Sequence, residues 1–321
     1  MTQAKGAKGQ VVIQEEPTYK TDPVSPDVQK ITFISCGLQQ KRGQEPSPSL
    51  SGDRNPTKAL RLNTDVAGPL VVELQAYIGL LFKATMGSVA TTGVGLYTHT
   101  FKVADELPSL LVEAGFTDIG QYFKYNGGKV SSMSFSVTPA GAQIVTFSFM
   151  GAKETPASTP FDATPTDLGK HSFDGFSIVT IEEGGAAIAS VLGIDNLTIN
   201  NDLDTDQYGV GGQGERDDLP AGLVSVTGTL KARFEDLTLY NKAVNDTESS
   251  LKIIYSKGDG LGSAGNESIE FLIPELTFAP KSPPINGPKG VLVELPFVAY
   301  YDDSAEASAL QIILKNTQPT I

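Results

Sequence analysis

The stretch Val224-Ser-Val-Thr-Gly-Thr-Leu-Lys-Ala-Arg-Phe234 sets the fold class. Val224, Val226, Leu230 and Phe234 share one face of an extended chain, and Ser225, Thr227, Thr229, Lys231 and Arg233 share the other. Successive strand side chains point to opposite faces, so a period of two describes a sheet with one face in a core and one in water. The same alternation sets Met133, Phe135 and Val137 against Ser132, Ser134, Ser136 and Thr138 in Val130–Thr138. In Val145–Phe149, Val145, Phe147 and Phe149 alternate with Thr146 and Ser148. Further strands are expected at Lys30–Gln39, Tyr97–Val103, Leu251–Ser256, Ile269–Phe278, Val291–Tyr300 and Leu310–Leu314. The 33 glycines and 20 prolines supply the many turns that such a chain needs.

Helical spacing occurs twice. Leu74, Tyr77, Ile78 and Leu81 predict a helix over Leu74–Ala84 that Gly87 can end. Leu237, Tyr240 and Val244 predict a second helix over Leu237–Val244, with Asp236 at its N-cap. Both stripes are expected to face the core. The order of elements repeats. Val11–Glu16 matches Ile178–Glu183, and Ile31–Gln39 matches Ile194–Asn201. The long polar loops Lys41–Arg61 and Asp202–Asp218 follow, and then the strands Pro69–Glu73 and Leu223–Phe234 lead into the two helices. The halves end in Val130–Met150 and Ile269–Tyr300, with an insertion in the first around Pro108–Tyr125. The expected architecture is all-β: two tandem antiparallel β-sandwich or barrel domains, 1–160 and 161–321, each with one flanking α-helix. Thr155–Gly169, with prolines at 156, 160 and 165, is read as an extended linker, and Met1–Gln10 as an arm that is mobile in the isolated protein.

Charge narrows the function. With 24 basic and 37 acidic residues the net charge is −13, the wrong balance for a protein that grips nucleic acid by neutralising phosphates. The single cysteine, Cys36, excludes an intramolecular disulfide and reads as a small strand residue. No apolar stretch follows Met1, so no signal peptide is expected, and the run Tyr77–Phe82 is too short to span a bilayer. No membrane contact is expected, and synthesis in a cytoplasm is.

No catalytic, cofactor or metal site is expected. His99 and His171, the only histidines, have no ligand partners at metal spacing. Gly209-Val-Gly-Gly-Gln-Gly214 matches a dinucleotide fingerprint in letters, but Asp-rich loop precedes it and Asp217-Asp-Leu-Pro220 follows. Asp202, Asp204 and Asp206 resemble the start of a calcium loop, yet Gln207 and Gln213 stand where that loop needs Gly and Glu. Adjacent acids such as Glu15 and Glu16 point to opposite faces of a strand and form no dyad. The two long loops are the better candidates. Lys41–Arg61 carries Lys41, Arg42, Arg54, Lys58 and Arg61 against Glu45 and Asp53, net +3. Asp202–Asp218 sets Asp202, Asp204, Asp206, Glu215, Asp217 and Asp218 against Arg216, net −5. Either these are two surface loops of unrelated charge, or they meet across subunit or ring interfaces and fix register.

The wording of one region resembles phage tail tube proteins. It comprises Leu107-Pro-Ser-Leu-Leu-Val-Glu-Ala-Gly-Phe116, Gln121-Tyr-Phe-Lys-Tyr125, Gly128-Lys-Val-Ser-Ser-Met-Ser-Phe-Ser-Val137 and Phe147-Ser-Phe-Met-Gly151. The resemblance implies a structural, non-enzymatic virion protein whose inner strands join between subunits into a barrel. Rings of it would stack into a tube with an acidic lumen, through which DNA passes without specific binding. It also implies a tail terminator, a tape-measure protein and baseplate components as partners, and no cofactor. Two such domains per chain favour a trimeric ring with pseudo-sixfold symmetry over a hexamer. The tube of a contractile injection device or of a phage-derived bacteriocin, and a β-sandwich binding module, are the alternatives. If the long loops meet between subunits, reversing the charge of Lys58 and Arg61 impairs polymerisation, and normal polymerisation of that variant removes the idea.

Overall fold

The computed structural model describes residues 3–188, 190–285 and 287–321. The first half of the chain forms β1 (Gly9–Glu15), β2 (Gln29–Ile31), β3 (Ser35–Cys36), β4 (Gln39–Glu45), β5 (Leu60–Glu73), α1 (Gly79–Met86), β6 (Gly87–Val94), β7 (Leu96–Val103), β8 (Leu110–Phe116), β9 (Gln121–Val137), β10 (Ile144–Gly151) and β11 (Lys153–Ala157). The second half forms β12 (Thr166–Asp167), β13 (Ile178–Glu183), β14 (Ala186–Ala187), β15 (Val191–Asn200), β16 (Ser225–Arg233), α2 (Thr238–Val244), β17 (Ser249–Ser256), β18 (Ser268–Phe278), β19 (Leu292–Tyr300) and β20 (Gln311–Asn316). The chain is mostly β-sheet, as the alternation requires.

Pairing in the two halves follows one scheme. Neighbours run β1–β8–β9–β10–β5–β4 in the first half. They run β13–β17–β18–β19–β16–β15 in the second. All ten pairs are antiparallel. Among the described residues the hairpin β6–β7 has no counterpart in the second half. The insertion expected around Pro108–Tyr125 therefore lies earlier, because β8 and the start of β9 occupy that region and correspond to β17 and β18. Gly87-Ser-Val-Ala-Thr-Thr-Gly-Val94 is small and largely exposed, and without alternation it carries no strand signal.

Two antiparallel ladders join the halves: β20 pairs with β7, from Gln311 opposite Lys102 to Asn316 opposite Tyr97, and β15 pairs with β9. β15 adds to the free edge of β9, pairing Leu197 with Phe135, Thr198 with Ser134, Ile199 with Met133 and Asn200 with Ser132. A bulge at Asn196, whose backbone is left-handed, lets its N–H donate to Ser136 Oγ at 3.1 Å. The result is a run of eight strands within a larger sheet, in the order β4–β5–β10–β9–β15–β16–β19–β18, with β18 pairing onward to β17 and β20. One face is apolar, with Val72, Phe147, Met133, Ile199 and Leu230 buried. The other carries two rows of neutral polar side chains in register. Thr146, Ser134, Thr198 and Thr227 form one; Ser148, Ser132, Asn200 and Ser225 form the next.

The helices differ from expectation. α1 begins at Gly79, because residues 74–78 are held as a bridge: Leu74 N–H donates to Gln143 O, Phe173 N–H donates to Leu74 O, and Gln75 pairs with Ser172. A short segment buried on every side gives helix and buried strand the same signature, which is why the spacing misled. Seven of the eight α1 residues are buried, and Phe82 sits 6.1 Å from Phe271 of the second half. Gly87 ends α1 in a left-handed conformation. Asp236 Oδ1 accepts from Thr238 N–H at the start of α2. Contrary to the reading that its stripe faces the core, Leu237 is 54% and Val244 52% exposed. Among the described residues nothing covers Leu237 and Val244 as the second half covers α1.

Other segments are more structured than the sequence implied. Gly9 and Gln10 belong to β1, and Lys5 N–H donates to Asp118 Oδ2, so the described part of the arm is tied down. The linker is extended, but it is stitched to the first half through β11 on β9 and β12 on β2. Lys30–Gln39 breaks into β2, β3 and the start of β4. Both ends of the loop Lys41–Arg61 are strand, in a β4–β5 hairpin. No helix among the described residues is long and apolar enough to cross a membrane.

The junction tolerates little extra volume. A Cβ on Gly193 would lie 2.5 Å from the carbonyl oxygen of Val137. Gly193→Ala is expected to lower stability by about 1–3 kcal/mol in urea titration, as overpacking does. Gly290→Ala, where a Cβ meets open space, is expected to leave stability nearly unchanged.

Candidate assembly surface

The two loops singled out by charge meet at Thr64, within one chain. The acidic loop folds down onto β5: Thr64 N–H donates to Gly214 O at 2.7 Å, and Tyr208 Oη donates to Thr64 O at 3.2 Å. Arg42 on β4 donates to Thr64 Oγ1 at 2.7 and 3.1 Å. Arg216 pins the loop. It is only 4% exposed, and its guanidinium donates to Thr205 O, Gly151 O and Asp65 Oδ1 at 2.8, 3.0 and 2.6 Å. Tyr208 lies under it, 5.3 Å to the ring centre. A buried guanidinium needs such partners, and Arg216 has them.

The acids of this loop divide by role. Glu215 and Asp217 lie 3.4 and 3.7 Å from Lys20 Nζ. Asp218 takes Lys129 Nζ at 3.1 Å. Asp204 caps its own loop: the Gln207 side chain and then the Asp206 N–H hold its carboxyl below the usual carboxylate range. Asp202 adopts a left-handed backbone, and its carbonyl accepts from Gly222 N–H. Asp206 contributes its N–H to Asp204 and its carbonyl to Tyr208 N–H. Among the described residues no group of His, Cys, Asp or Glu could hold a metal ion.

Lys20, Lys129, Asp65 and Glu16 carried no sequence signal, because only the tertiary fold brings them to the loop. Glu16 is buried and accepts from Ser109 Oγ, Asn126 Nδ2, Gly127 N–H and Lys20 N–H, and so fixes the turn that presents Lys20. Glu15 points the other way, to Lys83 Nζ at 2.5 Å, as neighbours on a strand must.

The basic loop behaves differently. Arg54 and Lys58 lie in its exposed tip, residues 46–59, and Arg61 is exposed on β5 opposite Gln44. Every residue of β4 is exposed, and among the described residues no strand pairs with its outer edge. An open edge of seven residues is a template for another strand.

The histidines are structural. His99 is fully buried, with Nδ1 2.8 Å from Thr91 Oγ1 and Nε2 3.1 Å from Asn316 Oδ1. Asn316 Nδ2 donates to Ala76 O, which orients the amide and puts the ring proton on Nε2. Burial lowers the His99 pKa and keeps it neutral. His171 Nδ1 lies 2.8 Å from Glu267 Oε1, beside Tyr77. The glycine-rich 209–214 stretch is part of the docked loop, with no helix after it.

A pinned acidic loop, an open strand edge and a continuous two-faced sheet describe a building block. The family profile described as "Phage tail tube protein" matches residues 6–299. The chain therefore belongs to the phage tail tube protein family: a structural component of the virion tail that assembles with itself and with other tail components. No curated protein matches the chain. Among solved structures, a chain of the cryo-EM structure of the anti-feeding prophage baseplate is 14% identical. That match covers 49% of this chain and 97% of that one, at a TM-score of 0.31.

Removing the pin strands the buried carbonyl of Gly151 and the half-buried one of Thr205, and frees Asp65. Arg216→Ala is expected to cost about 2–4 kcal/mol in chemical denaturation. It is also expected to make the 202–218 amides exchange hydrogen faster than in the wild type.

Proposed function

We propose that the chain polymerises into stacked rings that form a tail tube, the conduit through which DNA is ejected. Three chains make a ring, and residues 1–160 and 161–321 act as two copies of one tube unit, giving pseudo-sixfold symmetry. The observation that carries this reading is the β9–β15 ladder. It adds the second half to the first by strand pairing, and the same pairing scheme recurs on both sides. Repeated from chain to chain, that addition closes a barrel and uses the open edge of β4.

Size favours three chains. Eight strands per chain give 24 in a trimer, and strands spaced about 4.8 Å apart and tilted about 40° enclose a barrel roughly 45–50 Å across. Six chains would double it. The exposed stripe of α2 supports the same arrangement. α1 is covered by the following half, so α2 awaits the first half of the next chain. The exposed basic hairpin, with Arg54, Lys58 and Arg61, is free to reach a neighbouring subunit or ring. Arg42 and the acidic loop shape its base. The tail terminator, the tape-measure protein and the baseplate bind the ends and lumen of such a tube.

Light scattering with negative-stain microscopy tests the stoichiometry. Rings of about 102 kDa, three chains of 33.9 kDa, are expected. Rings of twice that mass would replace the trimer with a hexamer. A chain that stays monomeric and fails to join tails supplied with the other tail proteins would end the tube reading. Leu237→Glu with Val244→Glu is expected to leave the monomer's melting temperature within a few degrees of wild type while abolishing rings. Undiminished assembly would remove α2 from the interface.

A further inference from the structure

The two rows of neutral polar side chains cross the central strands β10, β9, β15 and β16 without a charged residue, and they continue unbroken over the junction between halves. Charge on this face is confined to its margins. On one side Lys41 stands opposite Asp65, and Glu73 lies 2.8 Å from Lys170. On the other, Lys231 Nζ is 2.7 Å from Asp195 and 3.8 Å from Glu294. A chain of net charge −13 thus keeps its central sheet face neutral.

We infer that this face is the wall of the channel, and that a nucleic-acid duplex in transit meets hydroxyl groups and their water instead of fixed charge. The inference rests on the tube reading and adds the chemistry of its inner surface. Geometry selects the side. The opposite face of the sheet is covered by α1 and the core, and the circumference of a closed barrel is larger outside than inside. The covered face must therefore turn outward and the bare rows inward. The family resemblance implied an acidic lining, but these rows supply a neutral one.

The chemistry fits passage without adhesion. A wall of lysine or arginine would neutralise phosphates and release counterions, and each such contact steepens the salt dependence of binding by about 0.9 in log–log slope. A wall of carboxylates would collect cations between itself and the phosphates. Hydroxyls donate and accept with equal ease and exert no long-range force on a polyanion. Water in the lumen can exchange partners along the rows as the duplex advances.

Cryo-EM reconstruction of tubes assembled from the wild-type chain tests the location. Thr227 and Ser134 are expected to line the channel. If the rows face the exterior or a ring-to-ring contact, the inference falls while the tube stands. If no tube forms even with the other tail proteins, the tube reading falls and takes the inference with it. The chemistry is tested with Ser225→Lys plus Thr227→Lys, both at exposed positions, against Ser158→Lys as a charge control. Tubes of the double variant are expected to retain short duplex DNA at least tenfold more than wild type or control at 50 mM salt, and to lose that excess by 200 mM. Wild-type tubes that retain as much DNA as the double variant would overturn the neutral wall. The wild-type reconstruction and wild-type retention decide the matter even if the lysine chain fails to assemble.

Discussion

The backbone ladder between β9 and β15 is the constraint on which the rest depends. β9 is 17 residues long and serves four neighbours: β8 and β11 near its start, β10 and β15 near its end. A slip of one residue in the β9–β15 pairing would turn Leu197 and Ile199 outward and Thr198 inward. The bulge at Asn196, the hydrogen bond to Ser136 and the bare backbone of Gly193 hold the register. The burial of α1, the docking of the acidic loop and the continuity of the hydroxyl rows each require that one alignment.

Strands that are half-buried were legible in the sequence. Val224–Phe234, Val145–Phe149 and Ile269–Phe278 alternate because one face meets the core and the other water, and each lies within two residues of its observed bounds. Strands exposed on both sides, such as Gly87–Val94 and Gln39–Glu45, carry no such pattern and were missed. A segment buried on both sides, Leu74–Ile78, carries helix and strand signals at once. Charge flagged the two long loops, yet it could not tell a free loop from a docked one. The docking depends on Arg216 reaching Gly151 and Asp65, residues far away in the chain.

Family membership defines a structural protein of the tail, and the polar networks agree with rigidity. Buried charges at Arg216, Glu16 and Lys129 are each surrounded by hydrogen-bond partners. Such networks cost more to break than exposed ion pairs do. They concentrate where the loop of one half meets the sheet of the other, so they lock the relative orientation of the halves before any second chain arrives.

Among the described residues the β6–β7 hairpin occurs once and has no twin in the second half. In the proposed ring it would therefore mark alternate units around the circumference. A ring of six equivalent units can be turned by one sixth and still stack identically. A ring that carries the hairpin on every other unit accepts only thirds of a turn, so the angular offset between successive rings has half as many equivalent settings. The covalent fusion of two halves thus coarsens the helical twist that the growing tube can choose, and narrows the ways in which rings can be misaligned.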